Sequence, residues 1–320
     1  MSRHVTPHRA EASTTTITRS TEDRDGSTVV PLLPPELLAR LERLEMVTRK
    51  IFRGRTKGER RSKRKGQSVE FADFRSYVPG DDLRFLDWNL YARLDRLFVK
   101  MFLEEEDLHL YTLIDASRSM EFGDPTKLRY AKQLAAALGF VALIRSDRVK
   151  IETIGQSLSG RSPTFRGRRS ARRMVDAIEQ MEPAESVSLA TGVKNFCLRN
   201  AGKGVVVVMT DLMDKAGYEA ALGRLASRQL DVYVIHILSM EEIEPDVQGD
   251  LKLVDCEDQD VAEISVNAPL LKRYEQTLSG LVDGARTYCM RRGMNYLLVN
   301  TRLPVLDLIT TYLRRQGLVR

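Results

Sequence analysis

Apolar positions along the chain change period several times, and each change marks an element. Leu37, Leu41 and Leu44 fall at i, i+4 and i+7, one face of a helix introduced by Pro34-Pro35. A long polar stretch follows. Order returns with Val69-Glu-Phe-Ala-Asp-Phe-Arg-Ser-Tyr77, a Pro79-Gly80 turn, and Asp81-Asp82-Leu-Arg84-Phe-Leu-Asp87-Trp88. Residues 97–102 read as a strand, ahead of an acidic run over 104–107. Strands and helices then alternate. Strands are predicted over 108–114, 149–154, 204–209 and 232–238, and helices over 127–145, 170–182, 189–200 and 218–228. Val205 to Val208 is an unbroken apolar run of the kind a parallel sheet buries on both faces. After Met240 the chain turns acidic, and the pattern gives a hairpin over 250–266, a helix over 270–292, a strand over 295–299 and a closing helix over 306–315. Strand–helix alternation of this kind predicts an α/β fold with a doubly wound, mostly parallel sheet of Rossmann-like type. No internal repeat is visible.

Composition narrows the function classes. The chain has 320 residues, 42% of them hydrophobic, enough for a sizeable core. Its net charge of +6 is concentrated in one place. Between 49 and 65 stand ten basic residues (Arg49, Lys50, Arg53, Arg55, Lys57, Arg60, Arg61, Lys63, Arg64, Lys65) against the single acid Glu59. Such a run can neutralise phosphates, so a metal-independent basic module binding nucleic acid or anionic surfaces is one reading. Phe52 is its only aromatic residue, which argues against base stacking. Cys197, Cys256 and Cys289 are scattered without C-x-x-C spacing, so neither a disulfide framework nor a zinc site is indicated. His109 and His236 lie inside predicted strands and read as core residues. No apolar run approaches the roughly 20 residues that span a bilayer, and residues 1–27 lack an apolar signal core. A cytoplasmic protein without a transmembrane segment is expected. Gly202-Lys203-Gly204 precedes a strand, whereas a phosphate loop follows one.

Ligands of open α/β sheets bind at the carboxyl ends of the strands. There the sequence places Asp115-x-Ser117-x-Ser119 after one strand and Thr210-Asp211 after the Val run. Oxygen donors alternating in a tight turn suit Mg²⁺. The same residues can instead cap the turn, with the serines bonding backbone.

Asp115-Ala-Ser117-Arg-Ser119-Met resembles the metal-ion-dependent adhesion site (MIDAS) of von Willebrand factor A domains, and Thr210-Asp211 resembles that site's third loop. The wider pattern is similar to the bacterial domain of unknown function 58 family over about 66–315. It comprises Glu70-Phe71, Arg75-x-Tyr77, Gly80-Asp81-Asp82-x-Arg84, Asp87-Trp88, Ala92-Arg93, Val99-Lys100 and Glu105 ahead of the D-x-S-x-S-M turn. Composition, pattern and resemblance together divide the chain into a polar tail over 1–30 expected to be disordered, a signature region over 31–106 containing the basic segment, a von Willebrand factor A-like domain over 107–300 with a hairpin insertion near 250–266, and a C-terminal helix over 301–320. The resemblance implies Mg²⁺ held by Asp115, Ser117, Ser119 and Asp211. It also implies protein–protein recognition beside a MoxR-type AAA+ ATPase and its client, with no established catalysis. One departure stands out: Val187 occupies the position of the second-loop Thr, so Ser186 or Ser188 would have to supply that oxygen. Asp81, Asp82 and Asp87 with Arg84 and Arg93 read as an ion-pair and capping network with Trp88 packed beneath. An acid–base or two-metal hydrolase site there is the competing possibility.

Overall fold

Val205 and Val207 enter one hydrophobic cluster while Val206 and Val208 enter another, so the strand that carries them is buried on both sides. The computed structural model describes residues 31–46, 70–103, 109–154, 163–183, 187–247, 249–254 and 261–320. The tail 1–30, the basic segment 49–65, Glu105 and Ser186 lie outside the described residues. In chain order the elements are α1 (Pro35–Leu41), β1 (Glu70–Ser76), α2 (Trp88–Leu94), β2 (Phe98–Leu103), β3 (His109–Asp115), α3 (Lys127–Ile144), β4 (Arg148–Ile154), β5 (Thr164–Arg166) and α4 (Ala171–Glu179). They continue with α5 (Leu189–Arg199), β6 (Gly204–Thr210), α6 (Glu219–Ala226), β7 (Leu230–Leu238), α7 (Met240–Ile243), β8 (Gly249–Val254), β9 (Val261–Val266), α8 (Ala268–Arg291), β10 (Asn295–Asn300) and α9 (Val305–Asp307).

Six strands form the main sheet in the order β10-β7-β6-β3-β4-β5. Neighbours run parallel except β5, which is antiparallel to β4. This is the doubly wound, mostly parallel sheet that the alternation of strands and helices predicts. Helices α1, α3 and α4 and the C-terminal residues cover one face through Leu41, Leu134, Leu138, Met174 and Leu308. Helices α5, α6 and α8 cover the other through Val193, Phe196, Leu222 and Ala285. Each fully buried valine of β6 contributes about 1.5–3 kcal/mol relative to an exposed one.

Helix α3 is buried on nearly all sides because α1, α4 and α9 pack around it. Thr126 caps its first turn by accepting from the Arg129 N–H at 3.1 Å. The closing helix spans 305–315, against the 306–315 that its pattern predicts. It begins as α9 and continues as a π-helical turn over Leu308–Leu313, which carries Leu308, Ile309 and Leu313 into the core. Glu45 and Arg320 exchange backbone hydrogen bonds of 3.2 and 2.9 Å, and Met46 bridges Val319, so the α1 segment is tied to the C-terminal residues.

Two two-stranded sheets stand apart from the main one: β1 with β2, and β8 with β9. The first, together with α2, forms an arm over residues 70–103.

At the start of β6 a side chain on Gly204 would fall 2.0 Å from the His109 carbonyl oxygen of the neighbouring strand. Gly204→Ala is therefore expected to lower stability by about 1–3 kcal/mol, read as a reduced urea midpoint, because the strands would have to separate to admit the methyl group.

Candidate functional site

The sheet reverses its winding direction between β3 and β6: the chain runs from β3 outward through β4 and β5, then from β6 outward through β7 and β10. Crevices form at such switch points. Because Ile114 pairs with Met209, Asp115 and Thr210 end their strands side by side. The Thr210 hydroxyl donates to Asp115 Oδ2 at 2.6 Å, and the Ser117 N–H donates to Asp115 Oδ1 at 3.0 Å. The hydroxyls of Ser117 and Ser119 lie 3.0 Å apart. Asp211 Oδ1 accepts from the Met213 N–H at 3.1 Å. Between them Leu212 is held at φ 57°, a left-handed conformation costing roughly 1–2 kcal/mol for a residue of this type. Its N–H is fixed on Thr210 Oγ1 at 3.0 Å.

The second oxygen of Asp211 receives a group the sequence did not single out. Lys127, the first residue of α3, is wholly buried, and its Nζ lies 2.8 Å from Asp211 Oδ2. It also donates to Glu242 Oε1. Glu242 in turn belongs to a capping box with Ser239 at the start of α7. Burial opposes ionisation of both Lys127 and Asp211, but their mutual attraction wins. The lysine is held above its ordinary range and the aspartate below its own. Asp115 behaves differently. Burial, and then the charge of Asp211, push its carboxyl up to about 6. His236, buried on the adjacent strand, is pushed down to about 4 by burial and bonds the Tyr296 hydroxyl at 2.7 Å through Nδ1. It is a core histidine, as its strand position predicts.

The second loop contributes no oxygen to this cluster from its described residues. Val187 has none to give, and Ser188 is the N-cap of α5. Its hydroxyl accepts from the Thr191 N–H at 3.3 Å and donates to Thr191 Oγ1 at 2.9 Å. Asp214, from the loop after β6, accepts from the Leu189 N–H at 2.5 Å and so ties the second and third loops together. The five residues expected to hold Mg²⁺ thus divide. Asp115, Ser117, Ser119 and Asp211 come together, and Ser188 is engaged elsewhere. The assembled donors do not fit a divalent ion well: each oxygen of the two aspartates already has a protein donor, and one of those donors is an ammonium. Among the described residues no group of three or more His, Cys, Asp and Glu is arranged to hold a metal.

In the arm, the acids are paired and capping. Arg75 makes two 2.7 Å bonds to Asp81. Asp82 caps the short turn before Phe85 and bonds Arg84. Asp87 caps α2 through the N–H groups of Asn89 and Leu90 and bridges Lys100 at 3.0 Å. Trp88 is not packed beneath this network. It is 62% exposed, edge-on to Tyr91, with Val78, Leu83 and Leu94 also exposed. The reason is that Asp87, as the helix cap, turns inward and sends the next residue out.

This strand order, with its loops at the switch point, defines a doubly wound α/β domain. The chain belongs to the family described as protein of unknown function DUF58, whose profile matches residues 73–279. It is similar to the uncharacterized proteins Rv1480 of Mycobacterium tuberculosis and Mb1516 of Mycobacterium bovis. Each is 27% identical over 260 residues, which cover 79% of this chain and 81% of the relative. Among solved structures it is similar to the conserved hypothetical protein BatB from Bacteroides thetaiotaomicron (15% identity, 65% of this chain and 98% of that one, TM-score 0.39). It is also similar to an aerotolerance-related membrane protein from Bacteroides fragilis (16%, 65% and 99%, TM-score 0.38). Among the described residues no helix is long and apolar enough to cross a membrane.

Two outcomes follow from the electrostatics. Lys127→Met strands two carboxylates in the interior and is expected to cost about 3–5 kcal/mol in denaturant unfolding. Asp115, with its pKa raised, favours the folded state only when protonated. That contribution is complete below the ordinary carboxylate range and is lost as pH rises through about 6. Asp115→Asn should therefore be roughly 1–3 kcal/mol better placed relative to wild type near neutral pH than near pH ~4. Urea midpoints at the two pH values measure the difference.

Proposed function

We propose that this protein is a non-enzymatic, cytoplasmic recognition protein that docks a protein partner on its arm and on the adjoining family surface. The partner is the MoxR-type AAA+ ATPase, with its client, that the family resemblance implies. The observation carrying this reading is the exposure of Val78, Leu83, Trp88, Tyr91 and Leu94 within one short segment of the arm, with Trp88 edge-on to Tyr91. Helix α2 buries none of its own residues, so its apolar side chains are not spent on this chain's core. Exposed aromatic clusters of this kind mark interaction surfaces, and Trp and Tyr carry a disproportionate share of interface energy.

The arm's ionic groups support recognition over catalysis. A hydrogen bond from Arg75 holds Asp81 below the ordinary carboxylate range, and backbone donation from Leu90, then Lys100, does the same for Asp87. Carboxylates held ionised in this way are poor proton donors near neutral pH. They suit a rigid scaffold that presents Trp88.

Trp88→Ala is expected to leave thermal unfolding of the full chain within about 0.5 kcal/mol of wild type, since the ring is exposed. It should weaken capture of the ATPase about thirtyfold or more, an interface hot-spot effect of about 2 kcal/mol. Titration of the purified partner checks this. Unchanged affinity in both Trp88→Ala and Leu83→Ala, or nucleic acid as the only material bound, counts against the reading.

A further inference from the structure

We propose that the Lys127 ammonium is the resident cation of the strand-end site, so that the loops after β3 and β6 keep their shape without a divalent metal. A lysine at the first position of a helix faces the positive end of the helix dipole, and this one is also withdrawn completely from water. Neither circumstance favours a cation, and packing alone would be met better by an apolar residue. What compensates is charge. Asp211 reaches the ammonium from the end of β6, and Glu242 reaches it from the start of α7 directly after β7. One positive centre thereby joins α3 to two strand ends, the joining role a bound metal has in a loop-built site.

The surrounding donors are arranged for that ammonium. Both oxygens of Asp115 are bound by Thr210 and the Ser117 N–H. Asp211 divides its oxygens between Met213 and Lys127. The Ser117 and Ser119 hydroxyls lie 3.0 Å apart and also bond Asp115 and Asp211 respectively, while Ser188 faces Thr191. An entering Mg²⁺ would have to share Asp211 with an ammonium inside a low-dielectric pocket, where two cations repel strongly. The buried ammonium also cannot reach a partner's carboxylate. The outward groups of the same loop are Arg118 and Phe122, and contact at this end of the sheet falls to them.

The test uses the full chain and no partner, so it stands whether or not the arm docks an ATPase. Mn²⁺ is titrated by electron paramagnetic resonance, and thermal unfolding is followed in Mg²⁺ and in EDTA. Wild type is expected to show no saturable Mn²⁺ site and the same melting temperature in both media. Lys127→Met, which frees Asp211 and Glu242, is expected to gain Mn²⁺ binding and a melting temperature that rises with Mg²⁺. Lys127→Arg keeps the charge and is expected to fold and remain blind to Mn²⁺, which holds the test open if the Met variant does not fold in EDTA. Stoichiometric Mn²⁺ binding by wild type that Ser119→Ala abolishes would overturn the proposal. So would Mn²⁺ binding by the Arg variant, or a Met variant indifferent to both metals.

Discussion

An ammonium group with no access to water must be answered by carboxylates, and in this protein the answer organises the functional end of the sheet. Lys127 opens α3, the helix around which one half of the core is packed. Its partners terminate β6 and begin α7. The position of the central helix along its axis, the turn after Asp211 and the capping box at Ser239 are therefore mutually dependent. The left-handed Leu212 persists because its neighbours are pinned on both sides, by Thr210 and by Asp211. Its strain is tolerated at a point that rigid groups already determine.

The arm follows a different economy of interactions. Several family-signature residues within it act on one another, Arg75 with Asp81, Asp82 with Arg84 and Asp87 with Lys100, and Leu86 meets the signature residue Val99 across an isolated bridge. A two-stranded hairpin is marginal by itself, and this network supplies what a small core cannot. The apolar residues that the network leaves over are the exposed ones.

How much of this was legible in the sequence depends on the distance over which each feature is determined. The buried strands announce themselves locally, since β3, β6 and β7 need apolar residues on both faces, and Asp115 and Asp211 follow directly at their ends. Strand β5 offers three residues with only Phe165 buried, too few to show a period. Helices α2 and α7, of 7 and 4 residues, are also short. Lys127 does not stand out in the sequence because its partners lie 84 and 115 residues away and Arg129 and Lys132 share the first half of its helix. Trp88, expected beneath the ion-pair network, stands exposed because its neighbour Asp87 caps the helix. Ser188 was close to its expected spacing, but a hydroxyl preceding a helix is claimed first by that helix's own N–H groups.

The connection between arm and body has a mechanical meaning. The chain leaves the arm at the end of β2 and enters β3 after five intervening residues. That strand is hydrogen-bonded along its length to β4 on one side and to β6 on the other. A pull on the arm would load β3 in shear against both neighbours at once, so that two ladders of bonds must fail together before the strand moves. The central strand is thus an anchor as well as a platform: a partner could exert force on the arm while the body stays folded behind it.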